Sequence, residues 1–254
     1  MNIYEKTSEI LRYTAGIAKE GMTLQAIDEL AGKKMAELNV VSAVLGYQPE
    51  WEKTPFPGHT CLSVNSVICH GLPTIYKLKQ GDVLTIDLGI RDKELNLCGD
   101  AAITIGIGEI ANKDQRLLRY AKRTMYEGIK LIRDGVKVTD LGRAMETYAL
   151  QMNFHTNKAF SGHRIAEEMH MTPFIPNHYD LNPEYFEQFD GVLEEGMVVC
   201  IEPILSESDD RTGDKLKTGW LMVDRRGKNV AMFEHMVRVE KNGFTILTDH
   251  FEAE

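Results

Sequence analysis

The amino-acid sequence predicts an α+β fold, a single domain of two similar halves, about residues 1–110 and 111–254. Two observations support this prediction. Amphipathic helical segments occur in pairs, one pair in each half, and strand-like sequence follows each pair. A strand motif also recurs, because "QGDVLTIDL" at residues 80–88 is matched by "EGMVVCIEP" at residues 195–203. At 254 residues and 43% hydrophobic composition, the chain is long enough to bury a large core.

The helix pairs are predicted from apolar residues that recur at helical spacing. In the first half, residues 3–19 precede a second helix that begins after Thr23, a plausible N-cap. In the second half, residues 113–133 precede a helix within "DGVKVTDLGRAMETYALQM". Gly135 stands before this helix as Gly21 stands before its counterpart. The order of elements is therefore the same in both halves.

Composition excludes several classes of function. The net charge of −9 is spread along the chain, which argues against nucleic acid or an anionic membrane as the main partner. Residues 1–9 are polar and no apolar run approaches about 20 residues, so we expect neither a signal peptide nor a membrane span, and a cytoplasmic protein. The cysteines form no CxxC pair, which favours reduced, buried thiols (Cys61, Cys69, Cys98 and Cys200).

Four carboxylates occur within or next to apolar strand sequence, where an unpaired charge costs several kcal/mol. Asp87 and Glu202 occupy equivalent positions in the two repeated motifs. Asp100 follows the polar stretch "RDKELN", a predicted hairpin connection, so Asp87 and Asp100 are expected to face each other across an antiparallel pair. Glu234 lies in "AMFEHMVRV". One such residue could be a turn aspartate, but four converging carboxylates repel each other unless a cation lies between them.

Histidines add nitrogen ligands and proton donors to this set. "ICHGLP" carries His70, and "SGHRIAEEMHMTP" carries His163 and His170. Four carboxylates with one imidazole favour a pair of divalent ions, Mn, Fe, Co or Zn, over one structural zinc. Two ions about 3.5–4 Å apart would activate a bridging water and stabilise both the attacking oxygen and the oxyanion.

These residues and their motifs resemble the methionine aminopeptidases of the short, type I kind, from about residue 10 to the last residue given. The motifs are "SVNSVICHGLP", "GDVLTIDLG", "GMVVCIEP" and "FEHMVRV". The resemblance implies the pita-bread fold, a pseudo-twofold antiparallel sheet with helices on its outer face. It also implies hydrolytic removal of the initiator methionine from nascent proteins at a dinuclear metal site. A monomer in the cytoplasm, with association with the ribosome as a further expectation, fits this role.

The resemblance also assigns roles to residues. Asp100 and Glu234 would bridge the metals, Asp87 would chelate one ion, and His163 and Glu202 would complete the other. His70 and His170 would contact the scissile peptide and the tetrahedral intermediate, so they and Glu202 are the predicted catalytic residues. A methionine pocket would be formed by Tyr47, Phe56, Cys61, Met169 and Trp220, although aromatic and sulfur side chains also pack well in an ordinary core.

The sequence departs from the family pattern at several positions. Arg164 and Ala166 replace glycines beside the metal histidine, and the arginine could crowd the pocket or reach a substrate carboxylate. Ala101 replaces a threonine, which removes a hydroxyl near the metals. About six extra residues, within "QPEWEKTP", lie between Tyr47 and Phe56. We expect these changes to affect substrate preference more than metal binding.

Two alternatives remain open at this point. A proline-specific aminopeptidase or dipeptidase of the same fold is disfavoured, because its last ligand is typically followed by Asp, whereas His235 follows Glu234. A non-catalytic peptide-binding protein is disfavoured because such proteins normally lose metal ligands, and none is lost here.

Overall fold

The computed structural model describes residues 1–50, 52–216, 219–249 and 251. It contains the two predicted helix pairs, α1 (Ile3–Ile17) with α2 (Leu24–Glu37) and α3 (Asn112–Ile129) with α4 (Val138–Gln151), and a short α5 (Pro183–Gln188). The Thr23 side chain accepts a hydrogen bond from the backbone N–H of Ala26, so the predicted cap of α2 is present. Gly21 and Gly135 both adopt a left-handed conformation, with φ of 83° and 82°, in the turns that connect each pair.

Fifteen short and long strands are described, and every pairing between them is antiparallel. They are β1 (Val41–Ser42), β2 (Cys61–Val64), β3 (Val67–Cys69), β4 (Val83–Asp92), β5 (Leu97–Gly106), β6 (His155–Thr156), β7 (Ser161–Arg164), β8 (Met171–Pro176), β9 (Val198–Ile201), β10 (Ile204–Ser206), β11 (Asp214–Lys215), β12 (Met222–Val223), β13 (Val230–Met232), β14 (His235–Glu240) and β15 (Gly243–Ile246).

These strands form four sheets in the described part of the chain. In the first, β4 pairs with β1, β2 and β5. The second has the order β15-β14-β9-β7-β8. Two smaller sheets have the orders β13-β10-β6 and β11-β12-β3. A hydrogen bond of 3.0 Å from the Glu234 amide to the Ala102 carbonyl links the segment between β13 and β14 to β5.

The register of the β4–β5 hairpin corrects one expectation. Asp87 lies opposite Ala102, and Asp100 lies opposite Gly89, because the hairpin closes at the Asp92–Leu97 pair. The two aspartates are therefore diagonal neighbours on one face of the sheet, rather than directly opposite each other. A diagonal pair still brings both carboxylates to the same side of the strands.

Two apolar clusters hold the helices against the sheets. In the first, Ile10 of α1 and Ile27 of α2 pack with alternate residues of β4, including Ile86 and Leu88. The second joins α3 and α4 to the strands of the later half, and Ile103 of β5 contacts both clusters. Because side chains alternate along a strand, Asp87 faces away from the first cluster. None of the described helices is long and apolar enough to cross a membrane.

Candidate metal centre

The five predicted metal ligands meet at one cavity of about 530 Å³. They come from different elements: Asp87 from β4, Asp100 from β5, His163 from β7, Glu202 from the residue after β9, and Glu234 from the link between β13 and β14. The antiparallel pairings described above position these elements. Ligands from distant parts of the sequence therefore line a single space.

His163 is oriented with one ring nitrogen toward the carboxylates. Its Nε2 lies 3.6 Å from Oδ2 of Asp100 and 3.4 Å from Oε1 of Glu202. Its Nδ1 lies 3.1 Å from the backbone carbonyl of Arg164. A carbonyl can only accept, so we assign the proton to Nδ1, which leaves the lone pair of Nε2 free for a metal ion.

The carboxylates destabilise one another in this enclosed space. Burial raises the pKa of Asp87 well above its usual value, and the neighbouring Asp100 charge raises it further. Burial and the Asp100 charge raise the pKa of Glu202 and of Glu234 in the same way. Asp100 thus acts on all three other carboxylates. A cation bound among them would reverse these shifts, because it favours the ionised form.

A divalent metal ion fits the donor set. Oε1 of Glu234 is buried and has no hydrogen-bond partner among the described residues, an arrangement that a bound cation would resolve. Ligand atoms of Asp100, His163 and Glu234 lie within 4.8 Å of one another. Four carboxylates and an imidazole suit the hard to borderline ions Mn, Fe, Co and Zn.

The Cys200 thiol belongs to the same group of atoms but was not predicted. Its sulfur lies within the 4.8 Å set, and the residue faces His163 across the β7–β9 pair. Burial and the charge of Glu234 raise the pKa of this thiol, which therefore remains protonated at neutral pH. Its position on β9, two residues before Glu202, was the available sequence signal, since residues i and i+2 of an extended segment share a face.

His70 and His170 line the cavity beside the carboxylates. The His70 ring packs edge-on against Phe160 and Trp220, and the His170 ring centroid lies 4.6 Å from that of His163. Burial, together with repulsion from a second histidine, lowers the pKa of each to about 4. His170 has this lowered pKa although the residue is exposed in the structure. Both rings are neutral near pH 7 and carry one N–H donor each.

All five predicted pocket residues line the same cavity. Phe56, Cys61 and Trp220 form a buried apolar cluster, in which the Phe56 and Trp220 rings meet edge-on at 5.2 Å. Tyr47 is more exposed, and its ring centroid lies 6.1 Å from that of His170. Met169 completes the set.

Two expected departures do not affect the cavity. His163 points into it, whereas Arg164 lines a separate hollow of about 90 Å³ together with Ala166. Of the two effects left open for Arg164, crowding of the pocket does not occur, because its side chain lines the other hollow and alternate residues of β7 face opposite sides. Ala101 is fully buried in the first apolar cluster, so a hydroxyl at this position would face the helices rather than the metal ligands.

The extra residues between Tyr47 and Phe56 contribute one wall of the cavity. Trp51 lies outside the described residues. Glu52 forms an ion pair with Lys215 of β11, and both side chains line the cavity. The Thr54 carbonyl accepts a hydrogen bond of 3.0 Å from Nε1 of Trp220. These contacts join distant loops, and the unusual length of the segment was the only sequence signal for them.

Comparison with known proteins agrees with this geometry. The model of metallopeptidase family M24 matches residues 2–241. The "Methionine aminopeptidase" of Aquifex aeolicus is 34% identical over 247 residues, which are 95% of this chain and 92% of the relative. The "Methionine aminopeptidase B" of Synechocystis is 32% identical over 243 residues, which are 95% of this chain and 85% of the relative.

Solved structures are also similar. The crystal structure of methionine aminopeptidase from Rickettsia prowazekii superposes with a TM-score of 0.88 at 28% identity, covering 97% of this chain and 94% of that chain. Prolidase from Pyrococcus furiosus shares the fold, with a TM-score of 0.72 at 18% identity, and this chain covers 64% of it. These matches confirm the predicted pita-bread fold. With five candidate ligands at one cavity and a family match over nearly the whole chain, the protein belongs to metallopeptidase family M24.

Proposed function

We propose that this protein is a methionine aminopeptidase of the short, type I kind, which hydrolyses the peptide bond after an N-terminal methionine. The observation that carries the proposal is a single cavity with two kinds of lining. One part holds the five candidate metal ligands, and the other is the apolar cluster of Phe56, Cys61 and Trp220. The relatives named methionine aminopeptidase, at 32–34% identity, support the same activity.

The candidate metal site would hold two divalent ions. Asp87, Asp100, His163, Glu202 and Glu234 provide more ligand atoms than one ion of the Mn, Fe, Co or Zn type requires, which supports two. Such ions, when bound, provide a nucleophilic water and polarise the scissile carbonyl. The residues of the chain hold the ions close to the apolar part of the cavity, where the substrate side chain would bind.

The apolar cluster accounts for selection of methionine. Removing a methionine side chain from water contributes about 1.5–3 kcal/mol. Its thioether makes favourable contacts with aromatic ring edges, which Phe56 and Trp220 can provide. Tyr47 and Met169 would cover the remaining surface of the side chain. A charged N-terminal side chain would lose its hydration there without a partner in this apolar cluster, so it is disfavoured.

The two histidines would act on the peptide rather than on the metals. A neutral imidazole can donate its N–H to a carbonyl oxygen, and this bond strengthens as negative charge develops on that oxygen. His70 would also hold the methionine pocket in place through its edge-on contact with Trp220. The carboxylate of Glu202, 3.4 Å from His163, would take a proton from the attacking water and return it to the leaving amine.

A metal-reloading experiment tests the proposal. Protein treated with a chelator is reloaded with Mn, Fe, Co or Zn and offered Met-Ala-Ser, Met-Lys-Ser and Ala-Pro-Ser. We expect metal-dependent release of methionine from Met-Ala-Ser only. Cleavage of Ala-Pro-Ser alone would move the assignment to the proline-specific enzymes of this fold, and metal binding without any cleavage would identify a non-catalytic binding protein.

Partners follow from this activity. The substrates would be the N-terminal segments of newly synthesised proteins, acted on in the cytoplasm close to the ribosome. We propose a monomer as the active form, because all the residues named for metal and substrate come from one chain. Light scattering on the metal-loaded enzyme during turnover tests the monomer directly.

A further inference from the structure

Glu52 and Lys215 form an ion pair that lines the active-site cavity. Neither residue is a candidate metal ligand or a residue of the proposed methionine pocket. Glu52 lies between Tyr47 and Phe56, and its side chain is 6% exposed. Its partner, Lys215 on β11, is 42% exposed. Both line the cavity that contains the candidate metal ligands and His70. The Glu52 side chain is thus enclosed, whereas the Lys215 side chain is partly open to solvent.

Two strand pairings connect Lys215 to the residue beside His70. Lys215 pairs with Met222, and Met222 pairs with Cys69, the residue before His70. Adjacent strands lie about 4.8 Å apart, so the Lys215 backbone is roughly 10 Å from that of Cys69. An extended peptide advances about 3.3 Å per residue. The second or third residue beyond the cleaved bond would therefore reach the ion pair.

The pair is close enough to the active site to act on it electrostatically. The charge of Glu52 raises the pKa of His70 and that of Lys215 lowers it, which are minor effects beside burial and the repulsion from His170. Neighbouring contacts fix Glu52 in place. Nε2 of Gln48 donates a hydrogen bond of 3.2 Å to the backbone carbonyl of Glu52. The backbone carbonyl of Thr54 accepts a hydrogen bond from Nε1 of Trp220.

The two members of the pair differ in what they can offer a ligand. An ammonium group has three N–H donors, so contact with one carboxylate oxygen leaves Lys215 able to donate to a second anion. The Glu52 side chain is much less exposed than that of Lys215. A substrate side chain that arrives from solvent therefore meets the positive member first.

We propose that Glu52 and Lys215 form a subsite that binds the second or third residue beyond the cleaved bond and favours an acidic side chain over a basic one there. Lys215 binds the substrate carboxylate, and Glu52, which also pairs with Lys215, limits the size of this preference. This subsite rests on the proposed aminopeptidase function. It assigns a role to the extra segment between Tyr47 and Phe56.

The test compares charged peptides on the metal-loaded enzyme. The peptides are Met-Ala-X-Ser and Met-Ala-Ser-X, with X as Asp, Ser or Lys, and the readout is the ratio of kcat/KM for Asp to that for Lys. We expect a ratio of about three in one of the two series, the size of an exposed ion pair. The ratio should approach one in about 1 M salt, where the Debye length is only about 3 Å.

Three variants give distinct outcomes. Glu52→Gln removes the carboxylate that competes with the substrate for Lys215, so the ratio should rise by about threefold. Lys215→Gln leaves the negative charge of Glu52 without its partner, so the ratio of kcat/KM for Asp to that for Lys should fall below one. The double variant Glu52→Lys with Lys215→Glu keeps an ion pair, which protects folding, and places the negative member at the mouth. It should invert the preference even if a single variant folds poorly.

Matched controls remove the same charges from the same segment. Glu50 and Lys53 are exposed and do not line the cavity, so Glu50→Gln and Lys53→Gln should leave the ratio unchanged. An equal ratio in the wild type and all three subsite variants would overturn the subsite while leaving methionine release intact. An equal change in Glu50→Gln and Glu52→Gln would also overturn it, since it would reflect only net charge. If the wild type releases no methionine from any peptide, the aminopeptidase proposal fails and the subsite fails with it.

Discussion

Replacement of Gly162 by alanine tests how tightly the backbone surrounds the candidate metal site. Gly162 precedes His163 on β7, and a Cβ at this position would lie 2.2 Å from the carbonyl oxygen and 3.3 Å from the carbonyl carbon of Cys200. Ordinary contacts between non-bonded heavy atoms begin at about 3.2–3.5 Å, so the two strands must separate by roughly 1 Å. Cys200 offers backbone here, which cannot rotate away as a side chain could.

The consequences of that separation can be estimated. Overpacking of this kind costs about 1–3 kcal/mol, which corresponds to a Tm lower by roughly 3–10 °C for a chain of this size. Because His163 pairs with Cys200 across β7 and β9, the 3.4 Å separation between Nε2 of His163 and Glu202 cannot be kept. A displacement of about 1 Å among reacting groups lowers the rate by roughly a hundredfold.

Three measurements on Gly162→Ala check this reasoning: a thermal melt, metal stoichiometry after dialysis, and kcat/KM with Met-Ala-Ser. Gly16→Ala is the matched control, because Gly16 lies within α1 and a Cβ there meets nothing within 4 Å. In a helix this change should stabilise the protein by about 0.5–1 kcal/mol without loss of activity. Wild-type melting, stoichiometry and rate in Gly162→Ala would refute the reasoning.

Other predictions concern the ligands, the histidines and pH. Asp100→Ala should abolish activity and the increase in Tm on metal addition, because an ion that binds only the folded state stabilises it. The control Asp190→Ala, at an exposed position, should keep both. Normal metal content in Asp100→Ala would contradict the assignment of Asp100 as a ligand. His170→Ala should keep its metal content, while its kcat falls by about a hundredfold or more. His163→Ala should instead lose metal affinity and recover part of its rate in excess metal. The reverse pattern in a metal titration would exchange the roles of the two histidines. Because burial and Asp100 raise the pKa of Asp87, this carboxyl holds its proton in the metal-free folded state to a higher pH than in the unfolded state. The metal-free protein should therefore lose stability as pH rises through that raised pKa, and the gain in unfolding free energy on metal addition should grow as pH rises above the ordinary aspartate value of about 4. A gain that falls with pH, in urea melts with and without chelator, would be inconsistent.

Local patterns carried much of the sequence interpretation. Helical periodicity predicted both helix pairs, and Thr23 caps α2 as expected. Carboxylates in apolar strand sequence identified the residues that meet at the cavity. The hairpin register could not be obtained in this way, because it depends on which residues close the turn, here Asp92 and Leu97.

Contacts between segments that are distant in the sequence cannot be predicted from local sequence patterns. Glu52 and Lys215 are 163 positions apart, and nothing in either neighbourhood predicts the other. The direction of Arg164 is a different case. Alternation along β7 places Arg164 on the face opposite His163, but this strand has only four residues, too few for a periodic pattern that would predict it.

The hydrogen bond from the Glu234 amide ends at the carbonyl of Ala102, the residue before Ile103, which packs against both apolar clusters and marks the boundary between them. The candidate ligands come from both sides of this boundary, with Asp87 and Asp100 on one side and His163 and Glu202 on the other. Two bound metal ions would therefore connect the two apolar clusters, which could otherwise open separately. Metal loading should make unfolding more cooperative, so that amide hydrogens in the two clusters exchange through a common opening event rather than through two independent ones.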